Sequence, residues 1–301
     1  VVANRYNSTG STYNTNSYIY KWMSGSNCFG NGTACANATA GQNALQSIGT
    51  TGGYNWESFT IGSDTYLYVS NYYNSTGPTY NTNSYLYKWM PASNCFGNGT
   101  ACANTTAGQN ALQSIATNGS LGGKAFTIGT DSYLAVANYY NGSSYNISSN
   151  LYKWMSASNC FGNGTICGTA LQAIGTTGAG DWENFTIGTD TYLAVANGYN
   201  STGPTYNTNS YIYKWMSGSN CFGNGTACAN TTAGQNALQS IATNGGYDWE
   251  SFVIGSDRYL SAANYYNGTT YNINSNLYKW MSASNCFGNA TTCGTALQSI
   301  A

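Results

Sequence analysis

The chain contains no histidine, and only 6% of its 301 residues are charged. Histidine is the usual proton-transfer side chain near neutral pH and the commonest metal ligand, so its absence disfavours acid–base catalysis and zinc binding. A formal net charge of −1 gives no basic surface for nucleic acid. No segment approaches the ~20 consecutive apolar residues of a membrane span. We therefore expect neither an enzyme, nor a nucleic-acid-binding protein, nor a membrane-spanning protein.

What the chain does contain is repetition. The tripeptide Tyr-Lys-Trp occurs five times, and its tryptophans are Trp22, Trp89, Trp154, Trp215 and Trp280. A period of this size indicates a repeat architecture. We predict a single repeat domain over residues 1–301. Its repeats are approximately 1–54, 55–121, 122–180, 181–246 and 247–301.

Each repeat contains short segments with the two-residue period of β-strands. In the repeat that starts at Asp181, the predicted strands are residues 181–188, 192–197, 211–216 and 237–241, with a bulge or strand start near Glu183. A helical period of 3.6 residues is absent nearly everywhere. Four short strands per repeat describe the blade of a β-propeller. The sequence thus predicts an all-β, propeller-type array of five four-stranded repeats.

Two repeats depart from this pattern. The first begins at Val1-Val2-Ala3-Asn4, which matches residues 194–197, so it lacks its Trp-Glu strand. We expect the missing strand to come from residues outside the sequence, from an extension that closes the ring, or from a neighbouring molecule. The third repeat replaces Trp-Glu by Gly123-Lys124.

The ten cysteines share one Cys-x6-Cys spacing, and the segment between them contains Gly-Asn-Gly or a close variant. Such a turn brings the two arms together, so one local disulfide per repeat is expected. The spacing is not a usual zinc motif. Each short loop contributes about 2–3 kcal/mol, and disulfides indicate an oxidising compartment. The predicted pairs are Cys28/Cys35, Cys95/Cys102, Cys160/Cys167, Cys221/Cys228 and Cys286/Cys293.

Asn-x-Ser/Thr sequons recur at equivalent positions of the repeats, which chance in a polar chain does not explain. A sequon is a surface signal in a secreted protein, and glycans would provide the solubility that so few charges do not. The predicted glycosylation sites are Asn7, Asn31, Asn37, Asn74, Asn98, Asn104, Asn118, Asn141, Asn146, Asn163, Asn200, Asn224, Asn230, Asn267 and Asn289. A further sequon begins at Asn184.

Four motifs occur in a fixed order along the chain, as in Asp181–Phe185, Tyr192–Asn197, Tyr213–Trp215 and Gln239–Ile241. They resemble the epitempin repeat, also called the EAR or EPTP repeat, over essentially the full chain. The resemblance implies a secreted or cell-surface β-propeller, usually seven-bladed, that binds protein partners and has no catalytic residues. Five repeats, each with a disulfide loop, depart from the usual family pattern.

The few charges fall at repeated positions. We expect each Tyr-Lys-Trp lysine to pair with a glutamate of the Trp-Glu strand (Glu57, Glu183 or Glu250). A ring of binding charges around a channel is the alternative. The turn aspartates Asp64, Asp131, Asp190 and Asp257 each offer one carboxylate, which makes a poor Ca²⁺ site. We therefore predict no metal and no cofactor. Tyrosines and tryptophans could stack on sugars, although in strands they more often pack the sheet.

These observations together predict a non-enzymatic extracellular glycoprotein with a structural or adhesive role. Its expected partners are copies of itself or other extracellular proteins and glycans. The strand missing from repeat one suggests that units polymerise into a filament by strand complementation. The alternative is a monomeric propeller that binds a ligand, either as a lectin or as a protein-binding module.

Overall fold

The computed structural model describes all residues 1–301, and its ordered elements are β-strands joined by turns. We group them into five blades. Blade 1 contains β1 (Asn14–Ile19), β2 (Lys21–Met23), β3 (Cys28–Gly30) and β4 (Gln46–Thr51). Blade 2 contains β5 (Gly53–Ile61), β6 (Asp64–Asn71), β7 (Asn81–Met90), β8 (Cys95–Gly97) and β9 (Gln113–Asn118).

The remaining blades repeat this order. Blade 3 contains β10 (Ser120–Ile128), β11 (Asp131–Asn138), β12 (Asn146–Met155), β13 (Cys160–Gly162) and β14 (Gln172–Thr177). Blade 4 contains β15 (Ala179–Ile187), β16 (Asp190–Asn197), β17 (Asn207–Met216), β18 (Cys221–Gly223) and β19 (Gln239–Asn244). Blade 5 contains β20 (Gly246–Ile254), β21 (Asp257–Asn264), β22 (Ser275–Met281), β23 (Cys286–Gly288) and β24 (Gln298–Ile300).

Within each of blades 2 to 5, all strand pairs are antiparallel, and the outer edge of the third strand is shared by two partners. In blade 2, residues 88–90 of β7 pair with the Cys-Phe-Gly strand β8, whereas residues 81–86 pair with β9. The predicted count of four strands per repeat is therefore short by one. The additional strand is the first arm of the disulfide loop, which is too short to show a period in the sequence.

The blades are arranged as in a propeller. Their first strands β5, β10, β15 and β20 lie side by side in chain order. β20 and β5 lie further apart, and the Tyr54 and Tyr247 side chains span the space between them with their hydroxyls in contact. Blade 1 has no strand equivalent to β5. Its second strand is reduced to a single bridge, between Val2 and Tyr18.

Every complete blade has a β-bulge near the start of its first strand. In blade 4 the register shifts between Ala179 and Asp181, which leaves Gly180 unpaired. The bulge that the sequence predicted near Glu183 is therefore wrong by three residues. Alternation of apolar residues locates a strand but not the position where one residue is left out of the ladder.

Packing between blades explains the aberrant third repeat. A side chain on Gly123 would collide with the ring of Tyr68 in the preceding blade, because an added Cβ would lie 2.4 Å from that ring. The residue equivalent to Tyr68 is Ala135 in blade 3 and Ala194 in blade 4, and there the next blade supplies Trp182 and Trp249. The volume of the missing tryptophan is thus filled by a tyrosine from the neighbouring blade.

The predicted pairing of the tripeptide lysines with the Trp-Glu glutamates is wrong. Each of four lysines instead donates to the turn aspartate of the second strand, as Lys214 does to Asp190 at 2.7 Å. The third strand runs antiparallel to the second, so Tyr192, near the start of the second strand, faces Lys214. Asp190 is therefore within reach of the lysine side chain. The other pairs are Lys88–Asp64, Lys153–Asp131 and Lys279–Asp257.

Candidate functional site

The contacts between blades 2 and 3, blades 3 and 4, and blades 4 and 5 have the same components. The tripeptide tryptophan and the Cys-Phe-Gly phenylalanine of one blade pack against aromatic residues of the preceding blade. Trp154 lies 5.1 Å from Tyr66 and Phe161 lies 5.9 Å from Phe59, measured between ring centroids. The tripeptide and the Cys-Phe-Gly strand form a hairpin, and each of blades 3 to 5 buries the two aromatic residues of its hairpin against the preceding blade.

At each junction between consecutive blades, a glutamine side chain also forms hydrogen bonds to the backbone of the next blade. We call this set of bonds the glutamine clasp. Gln172 of blade 3 donates from Nε2 to the carbonyls of Phe222 and Ala229, and its Oε1 accepts from the Phe222 amide at 2.8 Å. Gln46, Gln113 and Gln239 also bond both backbone groups of the phenylalanine in the next blade. The clasp fixes the hairpin of one blade to the outer strand of another.

The two end blades each carry one half of this contact without the other. In blade 1, Trp22 is 48% exposed and Phe29 is 58% exposed, whereas Phe222 in blade 4 is fully buried. In blade 5, the clasp residue Gln298 is exposed, and Phe252 and Tyr259 are only half-buried. We call these the blade-1 face and the blade-5 face.

The length of the loop that follows the second cysteine correlates with the identity of one residue in the outer strand of the preceding blade. Gly49 and Gly175 donate to the Asn104 and Asn230 carbonyls in the long loops that follow the second cysteine. A Cβ on Gly49 would lie 2.3 Å from the Thr105 carbonyl oxygen. Where the next blade has the short loop, the equivalent residues are Ala116 and Ala242, and both are exposed. A long loop therefore requires glycine on the blade before it.

The bulges direct four side-chain positions toward the axis of the array. The unpaired residues are Tyr54, Leu121, Gly180 and Tyr247. All four line a cavity of about 450 Å³, which we call the tyrosine cup. They also line a smaller cavity of about 260 Å³, which we call the lower chamber. The four bulge residues therefore form the boundary between the two cavities.

The wall of the tyrosine cup comes from the residue that follows each second strand. This position is occupied by Arg5, Tyr72, Tyr139, Gly198 and Tyr265 in blades 1 to 5. Behind it lie Tyr145, Tyr206 and Tyr271, which precede the third strands. The cup tyrosines belong to a chain of ring contacts around one end of the array, as between Tyr199 and Tyr206 at 4.7 Å.

The lower chamber contains two carboxyls at equivalent positions of neighbouring first strands, Asp181 and Asp248. Burial and a hydrogen bond shared with Asp248 hold the pKa of Asp181 well above its usual range. The equivalent residue in blade 2 is the neutral Asn55. No group of three or more Cys, Asp or Glu side chains in residues 1–301 is arranged to hold a metal ion.

The ten cysteines form five local disulfides, each across seven positions. The bonds are Cys28–Cys35, Cys95–Cys102, Cys160–Cys167, Cys221–Cys228 and Cys286–Cys293. The first cysteine of each pair begins the Cys-Phe-Gly strand, and in blades 2 to 5 it is buried. This half of the bond therefore belongs to the packed hairpin.

The second cysteine of each pair is placed differently, which the shared spacing did not indicate. It lies outside the strands and forms only an isolated bridge to the glycine of the Cys-Phe-Gly strand. Cys228 is half-buried, whereas Cys35, Cys102, Cys167 and Cys293 are exposed to solvent. These four predicted site residues line neither cavity. They close the loop covalently but add no packing to the core.

The sequon inside each disulfide loop forms an Asx-turn. Asn31 Oδ1 accepts from the Thr33 amide, the Thr33 hydroxyl and the Ala34 amide at 2.9 Å each. Asn98, Asn163, Asn224 and Asn289 do the same. In contrast, Asn146 and Asn184 lie within strands β12 and β15. The loop sequons therefore lie in turns, whereas those two asparagines belong to strands.

Sequence reasoning missed both the cup and the clasp. The tyrosines of the cup lie in loops that appear only as Asn-Tyr-Tyr-Asn and similar polar segments. These tyrosines lie in one cavity only because the blades are arranged about one axis. The glutamine clasp was visible as a repeated Gln-x-Ile motif, but its partner is about 50 residues further along the chain.

Sheets that radiate from a shared set of first strands, each completed by contacts with its neighbours, define a propeller-like repeat protein. The sequence profile of the EPTP domain matches residues 44–90, 111–155, 170–216 and 237–281, which together are more than half of the chain. The chain therefore belongs to the EPTP, or EAR, repeat family. Each matched segment begins before the outer strand of one blade and ends with the third strand of the next.

Two curated relatives support this assignment. Thrombospondin-type laminin G domain and EAR repeat-containing protein from Mus musculus is 33% identical over 88% of this chain and 40% of its own length. The Homo sapiens protein of the same name is 34% identical over 79% of this chain and 39% of its own. This chain thus spans about two fifths of the length of these relatives. Their names describe repeat proteins and not enzymes.

Among solved structures, an exo-β-1,3-galactanase from Phanerochaete chrysosporium with β-1,3-galactotriose aligns with 91% of this chain and 53% of its own. The sequence identity is 10% and the TM-score is 0.45, so this likeness says nothing about function. The structure has no helix of the length and apolar character needed to cross a membrane.

Proposed function

We propose that this protein is a non-enzymatic, secreted glycoprotein with a structural or adhesive role, and that its units associate head to tail through the blade-1 and blade-5 faces. The observation that carries the proposal is the complementarity of those faces. Trp22 and Phe29 of blade 1 are exposed, and so is the clasp residue Gln298 of blade 5.

The internal contacts specify how the two faces would meet. Trp22 of one unit would pack on Tyr259 of the next, as Trp280 packs on Tyr192 within the chain at 5.5 Å. Gln298 would bond the backbone of Phe29, as Gln239 bonds that of Phe287. Because the two faces differ, the contact is heterologous, and a rotation that does not close produces a filament.

One residue departs from the internal contacts. The position equivalent to Gly49 in blade 5 is Ala301, whereas blade 1 carries the long loop that requires glycine there. Its methyl group would meet the carbonyl of Ala38, the residue of blade 1 equivalent to Thr105, so that loop must shift when the faces associate. We therefore expect Ala301→Gly to strengthen association several-fold.

The test is sedimentation velocity and electron microscopy of the secreted chain over a range of concentrations. We expect concentration-dependent association and linear polymers. Trp22→Ala should disable the blade-1 face, and Gln298→Ala should weaken the blade-5 face. Ile166→Ala is the matched control, because Ile166 is 60% exposed but lies on neither face.

Mixing makes the test specific for head-to-tail contact. A chain with a disabled blade-1 face retains its blade-5 face, and the reverse holds for the other variant. Each variant alone should lack polymers, and an equimolar mixture should form dimers through the intact pair of faces. Isolated monomers of the unsubstituted chain at every concentration would refute the association.

The glycoprotein part of the proposal is tested separately. Enzymatic N-deglycosylation should lower the mass of the secreted protein, and peptide mapping should find glycans first on the five disulfide-loop asparagines. These asparagines lie in Asx-turns outside the strands, whereas Asn146 and Asn184 are in strands. An unchanged mass would remove the glycoprotein claim.

A further inference from the structure

Beyond assembly, the tyrosine cup has the composition of a ligand site. Eight tyrosines, Arg5, a leucine and four glycines line about 450 Å³. Small-molecule sites commonly occupy about 300–1,000 Å³ and are lined by aromatic residues with a few placed polar groups. No aspartate or glutamate lines the cup.

Arg5 is the single charged residue of the cup and has no carboxylate partner. The ion pairs of the protein involve lysines only. The Arg5 guanidinium instead lies over the rings of Tyr72 and Tyr54, with its central carbon 4.6 and 5.2 Å from their centroids. Stacking of this kind holds the group in place while its N–H donors stay available for a planar anion.

Three cup tyrosines also have free hydroxyls. Tyr139, Tyr145 and Tyr206 interact with neighbouring tyrosines through their rings but make no side-chain hydrogen bond. Burial raises the pKa of Tyr139, so its hydroxyl keeps its proton and can donate. Hydroxyls beside ring faces suit ligands that carry both C–H faces and hydroxyl groups.

Blade 4 differs from the other complete blades at the wall of the cup. Where blades 2, 3 and 5 place a tyrosine in the wall, blade 4 has Gly198, whose amide donates to the Gly178 carbonyl at 2.8 Å. A Cβ added to Gly198 would lie 3.3 Å from its nearest neighbour, which is tight but has no backbone contact under 3 Å. The wall of the cup therefore lacks a tyrosine in blade 4.

From these features we propose that the tyrosine cup binds a short saccharide that carries a carboxylate, such as a hexuronic acid. The sugar's C–H faces stack on the tyrosine rings, its hydroxyls bond the free hydroxyls of Tyr139, Tyr145 and Tyr206, and its carboxylate pairs with Arg5. The site does not require the blade faces, so binding is independent of assembly.

The experiment is isothermal titration calorimetry of the glycosylated, secreted chain with digalacturonate, compared with the neutral disaccharide of galactose. We expect digalacturonate to bind at least about tenfold more tightly, since a bidentate hydrogen bond between guanidinium and carboxylate is strengthened by charge. Arg5→Gln should abolish that preference. Gly198→Tyr should reduce binding of both sugars, because a bulky ring is added at a residue that lines the cup.

Arg258→Gln is the matched control, because Arg258 is an arginine of blade 5 outside the cup that bonds the Thr186 carbonyl. It should leave binding unchanged. Equal affinity for acidic and neutral sugars, no binding of either, or loss of binding in the control would each overturn the proposal. So would tighter binding of a glutamate-rich peptide, which would assign the cup to protein carboxylates.

Discussion

Blades 1 and 4 contain the same hairpin in two different environments. The Trp22–Phe29 rings are 5.0 Å apart and the Trp215–Phe222 rings are 5.1 Å apart, so the local aromatic pair is the same in both. Yet Phe29 is 58% exposed and Phe222 is fully buried. The hairpin is thus set by local sequence, whereas its burial is supplied by the preceding blade. Stability in such an array is shared between blades and their interfaces.

The largest expected difference between the two blades comes from truncating the phenylalanine. Phe222→Ala should lower the free energy of unfolding by about 3–5 kcal/mol, because it creates a cavity at a fully buried position. Phe29→Ala should cost under about 1 kcal/mol in the monomer, since its ring faces solvent. Guanidinium denaturation at low protein concentration measures both. Equal losses would show that blade 1 is covered in solution.

The glutamine clasp allows a similar comparison between a junction inside the array and an exposed face, now with polar groups. Gln172→Ala leaves the Phe222 amide without its acceptor and should cost about 1–3 kcal/mol. Gln298→Ala removes no bond to a following blade and should leave monomer stability unchanged. The same denaturation series detects the difference. A destabilised Q298A monomer would contradict the assignment of this residue to an open face.

A third test compares the first strands of blades 4 and 2. Here the substitution is expected to raise the stability of the protein instead of lowering it. Burial and the bond to Asp248 raise the pKa of Asp181, so the folded state holds its proton more tightly than the unfolded state. Stability should therefore fall as the pH rises from the ordinary carboxyl range through the folded-state pKa. Asp181→Asn gives blade 4 the neutral group of Asn55 and should stabilise the protein modestly at pH 7.

The pH series of melting temperatures includes Asp131→Asn as a control, because Asp131 is half-exposed and paired with Lys153. That control should not stabilise the protein at neutral pH. A D181N variant with the same pH dependence as the unsubstituted chain would show that the carboxyl pair is not the source.

The smallest expected difference concerns the tripeptide lysines. Lys214→Gln breaks a 2.7 Å pair with Asp190 and should cost at most about 1 kcal/mol, because both groups are partly exposed. Lys21→Gln should cost nothing, since Lys21 forms no ion pair. Thermal unfolding in low and high salt checks both. A K214Q loss that does not diminish with salt would point to packing of the lysine stem.

The repeat period, the all-β fold and the local disulfides could be predicted from the sequence because each is a property of adjacent residues. Cys221 and Cys228 are joined by their own turn, and Tyr192 to Asn197 is a short run rich in small and β-branched residues that forms a strand. The different burial of the two cysteines could not be predicted, because the neighbouring blade covers only the first. The family resemblance is also confirmed, because it rests on four short motifs in order.

Features that depend on strand register or on several blades could not be predicted in this way. The partner of Lys214 depends on the register of β16 against β17, which places Lys214 opposite Tyr192. The bulge at Gly180 leaves no periodic signal. The cup combines Arg5 with residues from four other blades, so it is visible only when all five blades are in place.

The pairing of Gly49 and Gly175 with long loops, and of Ala116 and Ala242 with short ones, has a consequence for how such a gene can change. Near-identical repeats invite unequal recombination, which deletes, duplicates or reorders them. Only a joint that keeps glycine ahead of a long loop packs without collision. One residue per repeat thus restricts which blade can follow which, so the order of the blades is constrained as well as their sequences.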